Sequence, residues 1–169
     1  AYCFDQYDHE ETKKQYERMI ETEKHIDVLI NNAFDFSKKT GFNDPSGRWD
    51  NVTYEKAITR FDAAFYWAFQ AIQTFGPIMK KQGNGSIINI GSVLSEVSLP
   101  IQGIFSASKY AVKAYTDSLR SELVAEKAPI SVSLILPSAI DTPSTLHAES
   151  HIGEPVHSGP VYHADVAAK

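Results

Sequence analysis

Residues 86–113, "SIINIGSVLSEVSLPIQGIFSASKYAVK", hold the reading on which the fold turns. The first seven residues, "SIINIGS", form a short apolar run rich in isoleucine, ending in Gly91-Ser92. A run of this length and branching suits a strand buried on both faces, as in a parallel sheet. Pro100 and Gly103 punctuate residues 93–103 as a loop. From 104 to 127 the pattern is helical, with Ala107, Ala111, Ala114, Leu119 and Leu123 as inward candidates. Lys109 falls in the second turn of that helix, four residues after Phe105.

The same alternation extends outward in both directions. Residues 11–24 space Tyr16, Met19 and Ile20 as one face of an amphipathic helix. "IDVLINNAF" (26–34) reads as a buried strand, and the Gly-, Pro- and Asp-bearing stretch 35–53 as a long loop on the substrate side. Residues 54–82 read as one long helix, with Gly76-Pro77 expected to break or kink it. Its inward candidates include Ala57, Ile58, Phe61, Ala64, Phe65, Ala68, Phe69, Ile72 and Phe75. "QGNG" (82–85) is a turn, and "ISVSLILPS" (130–138) a third strand closed by Pro137. A further strand is expected at "AYCF" and a last short helix near Ala164. Helix, strand, helix, strand, helix, strand points to an α/β fold with a parallel sheet and helices on both faces. The 169 residues are read as a single partial domain, with 144–163 a loop-rich segment on the substrate side.

Composition narrows the function. The net charge of −5, from 16 Lys+Arg against 21 Asp+Glu, argues against a nucleic-acid surface. No apolar run approaches the roughly 20 residues of a membrane span. The single cysteine, Cys3, rules out an internal disulfide and cysteine metal sites, and fits a reducing, cytoplasmic setting. His147 and His151 have helical metal-ligand spacing but lie in a loop-like stretch without carboxylates in a fixed frame, so no metal is expected.

In an open parallel sheet, ligands bind at the carboxyl ends of the strands. Those ends here carry Asn31-Asn32-Ala33, Gly91-Ser92 and the stretch from Pro137 to Thr142. Together with Lys109 they resemble the short-chain dehydrogenase/reductase family. "DVLINNA" resembles the family's Asn-Asn-Ala-Gly strand end. "GSIINIGSV" is similar to the strand that delivers its serine, and "FSASKYAVKAYTDSLRSEL" to its Tyr-x-x-x-Lys helix. "LPSAIDTP" resembles the segment that touches the nicotinamide. Ser92 lies 13 positions before Phe105, as the family's serine lies before its tyrosine.

The resemblance implies a Rossmann-like, doubly wound parallel sheet and NAD(P)-dependent interconversion of a small carbonyl compound and an alcohol. In the family a tyrosine exchanges the proton, a lysine lowers its pKa and binds the nicotinamide ribose, and a serine holds the substrate oxygen. It implies catalytic positions Ser92, Phe105 and Lys109. The implied cofactor positions are Asp5, Asn31, Asn32, Ala33, Lys109, Pro137, Ile140 and Thr142. It also implies homo-oligomers paired through helices 54–82 and 104–127, without nucleic acid or membrane. Several positions depart from the family. Phe105 stands where the tyrosine belongs, Ala64 where an asparagine supports a relay water, and Phe34 and Ser138 where glycines are usual. The family's glycine-rich phosphate turn is absent, so the chain reads as the fold without its first βαβ half. The expected outcome is an impaired oxidoreductase, or a non-catalytic relative used for binding or oligomerisation.

Overall fold

The computed structural model describes residues 1–37 and 47–141 and the backbone of 162–163. Helix α1 (His9–Glu23) leads to strand β1 (Val28–Asn31). A long helical stretch follows, made of α2 (Tyr54–Phe61), a π-helical segment (Asp62–Tyr66) and α3 (Trp67–Gln82). Then come β2 (Gly85–Ile90), a 3₁₀ turn (Val93–Ser95), α4 (Gly103–Ala125) and β3 (Ile130–Ile135). Strands β1, β2 and β3 lie side by side in that order, both pairs parallel. Two-residue strands β4 (Ile140–Asp141) and β5 (Tyr162–His163) pair separately, also parallel.

Local chemistry sets the ends. Asp8 caps α1 by accepting from the Glu11 N–H, and Thr53 caps α2 through Lys56 N–H. Gly83 adopts a left-handed conformation (φ 85°) and closes α3. The expected break at Gly76-Pro77 does not occur, and α3 runs through Pro77 to Gln82. Pro77 is solvent-exposed, where its missing N–H is easily tolerated. The irregularity falls instead on the π-helical segment, which contains Ala64. Among the described residues no strand forms at "AYCF", and the helix expected near Ala164 lies outside them.

Two apolar clusters join helices to sheet. Tyr16, Ala71 and Phe75 meet Leu29, Met19 and Ile20, while Ile72, Met79 and Ile87 meet Leu119 and Val132. The helices α1, α3 and α4 therefore cover the face of the sheet that carries Leu29, Ile87 and Val132. On the opposite face, among the described residues, Val28 is 50% and Ile30 59% exposed. The inward stripe of α4 also differs from expectation. Phe105, Ser108, Lys109, Val112, Thr116 and Leu123 are buried, while Ala107 and Ala114 are exposed. On the long helix, Ile58 and Phe69 are likewise exposed. Alanine marks a helix without choosing its face; the sheet supplies partners for Lys109 at Ile90 O and for Thr116 at Asn89, while Ser108 bonds the Phe105 carbonyl of its own helix.

That partnering is explicit at Asn89, which is fully buried in the central strand. Its carbonyl accepts from the Asn31 amide at 2.8 Å, and its own amide donates to Thr116 Oγ1 at 2.8 Å. Thr116 in turn donates to the Val112 carbonyl. The chain of bonds locks β1, β2 and α4 into one register. Replacing Asn89→Ala removes two side-chain hydrogen bonds, leaves the half-buried Asn31 amide without its acceptor and opens a small cavity, while Thr116 keeps its bond to Val112 O; a buried group left unpaired costs about 1–3 kcal/mol. Urea denaturation is expected to show a loss of about 2–4 kcal/mol, against a surface control such as Ser118→Ala near zero.

Candidate active site

The site is assembled where the three strands end. Ser92 follows β2 and caps the 3₁₀ turn, its Oγ accepting from Leu94 N–H at 3.1 Å and its N–H donating to Ser95 Oγ. The hydroxyl proton of Ser92 is not used in that cap and is available to an acceptor. Gly91 N–H donates to Ile135 O, and Val93 N–H donates to Pro137 O at 2.9 Å. These bonds bring the Pro137 segment beside Ser92. Lys113 on α4 pairs with Glu96 just beyond the turn, holding helix and turn together.

Lys109 is the charged centre of the arrangement. It is only 6% exposed, and its Nζ donates to Ile90 O at the tip of β2 (3.0 Å). Two rings flank the amine, Phe34 at 5.4 Å and Phe105 at 5.8 Å from Nζ. Burial lowers its pKa from 10.5 to about 8. The rings also contact each other edge to face, 5.3 Å apart, and Phe36 joins the group against Phe34. Two of the departures noted in sequence, Phe34 and Phe105, are therefore one packed unit.

The remaining candidates distribute around this centre. Asn31 is engaged with Asn89, and with Ala33 and Lys109 it lines a cavity of about 230 Å³. Asn32 is exposed at the strand end. Asp5 lies in an exposed turn, its carboxylate accepting from Tyr7 N–H. Tyr7 O–H donates to Asp35 at 2.7 Å, tying that turn to the loop after β1, and burial beside Asp35 pushes the phenol well up. Ile140 opens β4 opposite Tyr162. Thr142, His147 and His151 lie outside the described residues. Tyr115, one of two tyrosines near Phe105 in sequence, packs against Phe65 and Phe69 instead. Tyr110 is 40% exposed. Sequence reading missed Asn89, Thr116 and the Tyr7–Asp35 bond. A lone asparagine inside "SIINI" was the available signal, since a buried polar group requires a partner.

The comparisons with known proteins agree with this geometry. A short chain dehydrogenase family model matches residues 1–152. The chain belongs to the short-chain dehydrogenase family. Among curated relatives, the uncharacterized oxidoreductase YxnA of Bacillus subtilis is 32% identical over 150 residues, 88% of this chain and 40% of that protein. The 3-ketodihydrosphingosine reductase of Bacteroides thetaiotaomicron is 31% identical over 130 residues, covering 77% of this chain and 45% of the reductase. The chain thus spans less than half the length of these relatives. A Burkholderia phymatum short-chain dehydrogenase/reductase solved with NAD superposes with a TM-score of 0.74 at 22% identity, over 97% of this chain and 63% of that one. ElxO carrying a tyrosine-to-phenylalanine change, solved with NADPH, gives 0.75 at 20% identity, over 88% of this chain and 56% of that one. These superpositions establish a Rossmann-like fold. Among the described residues, no helix is long and apolar enough to cross a membrane.

The buried lysine has a measurable signature. Its folded pKa, about 8, lies below its ordinary value of 10.5, so the unfolded chain binds more protons between those pH values. Stability from this group therefore rises as pH goes from about 8 to 10.5, by on the order of 3 kcal/mol. Below pH 8 the charge is buried at full cost. Lys109→Met is expected to flatten this rise in denaturation midpoints measured across pH 7–11.

Proposed function

We propose that this chain carries the catalytic half of an NAD(P)-dependent oxidoreductase that interconverts a small carbonyl compound and an alcohol, with its proton-transfer step impaired. The observation that carries the reading is the Lys109–Ile90 bond beside Ser92, with Phe105 filling the acid position. Family membership supports the chemistry, and the NAD and NADPH in the two solved neighbours support the cofactor class. The donor set fits a dinucleotide. Lys109 retains two N–H donors beyond the one given to Ile90, and Asn31 and Ala33 open on the same cavity. Lys109, Asn31, Asn32, Ala33, Pro137 and Ile140 would hold it, with Asp5 and Thr142 at its two ends. When bound, the nicotinamide supplies the hydride.

Within this chain, Ser92 would donate its hydroxyl proton to the substrate oxygen and orient it. Phe105 would exclude water and pack the ring slot. It has no proton to exchange, and the missing hydroxyl removes a contribution typically worth about 10²- to 10⁴-fold. Ala64 likewise offers no side chain to position a relay water. The setting is cytoplasmic, consistent with the single exposed thiol of Cys3.

A second reading rests on a separate observation. Tyr66 and Phe69 are exposed on the long helix beside the half-buried Phe65 and Tyr115 of the α3–α4 surface. That aromatic face would pair two copies, and the protein would serve as a non-catalytic binding or oligomerisation module.

The readings separate in an assay of hydride transfer on the longest polypeptide that carries this chain, with ketones and both reduced nicotinamides. Under the oxidoreductase reading, Phe105→Tyr raises turnover about 10²- to 10⁴-fold. Absence of hydride transfer in both forms sinks that reading and leaves the module.

A further inference from the structure

We propose that Tyr7 is a positioning residue of the active site: acting through Asp35, it holds the Phe34 ring over the Lys109 ammonium. That Lys109 serves a reaction rests on the reading above; the latch itself is geometry and does not depend on it.

Phe34 needs holding. It lies in the loop after β1, three residues beyond Asn31. Asn32 and Ala33 before it are exposed, and Phe36 after it is 56% exposed. The backbone on both sides of the ring therefore runs at the surface, where loops are usually the more mobile parts of a fold. Yet the ring lies 5.4 Å from Lys109 Nζ and edge to face with Phe105. A ring in that place keeps water from the ammonium, and burial is what depresses the lysine pKa.

Asp35, the next residue, supplies the tie. Its carboxylate accepts from Ser37 N–H at 2.7 Å, from the Ser37 hydroxyl at 2.9 Å and from Tyr7 O–H at 2.7 Å. The two Ser37 bonds are local and shape the turn. The Tyr7 bond spans 28 positions and joins the loop to another part of the fold. Charge-assisted bonds of this kind are stronger than those between neutral groups.

Tyr7 is itself fixed. Its N–H donates to Asp5 Oδ1 at 3.0 Å, and Asp8, the next residue, caps α1. Its ring packs edge to face, 5.0 Å away, on Trp67, the first residue of α3. A strut thus runs from α1 and α3 through Tyr7 and Asp35 to Phe34, and on to Lys109 of α4. Burial, with Asp35, Asp62 and Asp5 around it, raises the phenol pKa, so Tyr7 keeps its proton and stays a donor while Lys109 titrates. Among the described residues burial, and no neighbouring charge, accounts for the lysine shift. Asp35 therefore acts on Lys109 through the ring it holds and not through its own charge.

The test is Tyr7→Phe, which removes one hydroxyl and keeps the ring on Trp67. The Lys109 ε-carbon, labelled and assigned through Lys109→Met, is followed by nuclear magnetic resonance across a pH titration. Its midpoint is expected to rise from near 8 to about 9 in Tyr7→Phe. In a Phe34→Gly background, Tyr7→Phe is expected to add no further rise, because the ring it holds is gone. The nuclear Overhauser contact between the Phe34 ring and the Lys109 ε-methylene is expected to weaken in Tyr7→Phe. Where Phe34→Gly does not fold, that contact decides, and an unchanged contact overturns the proposal. A residue that only stabilised the fold would lower the urea midpoint and leave the lysine titrating near 8; that outcome overturns the proposal as well. So does an equal rise with and without Phe34, which would mean that the freed Asp35 carboxylate acts directly by its charge. None of these readouts requires turnover, so an absence of hydride transfer would sink the oxidoreductase reading and leave the latch standing.

Discussion

The bond from Lys109 Nζ to the Ile90 carbonyl is the constraint on which the site depends. It fixes α4 against the tip of the central strand, and it does so with a charge that has been taken out of water. A buried ammonium is costly unless it is well supplied with acceptors. Here it has one carbonyl and the faces of two rings, a modest replacement for its hydration shell. Cation–π contacts contribute about 0.5–2 kcal/mol each. The remaining cost appears as the depressed pKa. A site that keeps a lysine under such conditions spends stability on its position, as binding and catalytic sites commonly do.

The two phenylalanines explain how the altered site stays packed. Phe105 retains the ring that the family's tyrosine would supply, and Phe34 adds a second ring where a glycine is usual. Their edge-to-face contact over Lys109 closes the slot around the amine. Against the family pattern the differences are of polar groups lost and apolar volume gained, and the ring packing around Lys109 is kept. Ala64, on the π-helical segment, follows the same pattern. Here a methyl group stands on an irregular backbone turn where the family pattern has an asparagine.

Much of this was legible in the sequence. The order of elements followed from apolar runs and helical periods; Ser92, Phe105 and Lys109 were named through the family resemblance, and Lys109 lies against the end of β2, just before Ser92. The strand ends converge as expected, through the Val93–Pro137 and Asn31–Asn89 bonds. What was not legible depends on partners distant in sequence. Gly76-Pro77 read as a break or kink, but the helix continues through it to Gln82, with Pro77 on an exposed face where its missing N–H is tolerated. Ala107 and Ala114 read as core because alanine is apolar, whereas Ser108 and Thr116 are tolerated in the interior because their hydroxyls donate to the Phe105 and Val112 carbonyls of their own helix. The pairing of Phe34 with Phe105 spans 71 positions and no local pattern announces it.

The central claim is that Lys109 is buried and boxed by aromatic rings. Nuclear magnetic resonance titration of the Lys109 side chain, with its ε-carbon labelled and assigned through Lys109→Met, reads that environment directly. The account predicts a midpoint near 8, moving toward the ordinary lysine value when Phe34→Gly opens the box. A midpoint of about 10.5 in the unmodified chain would contradict it.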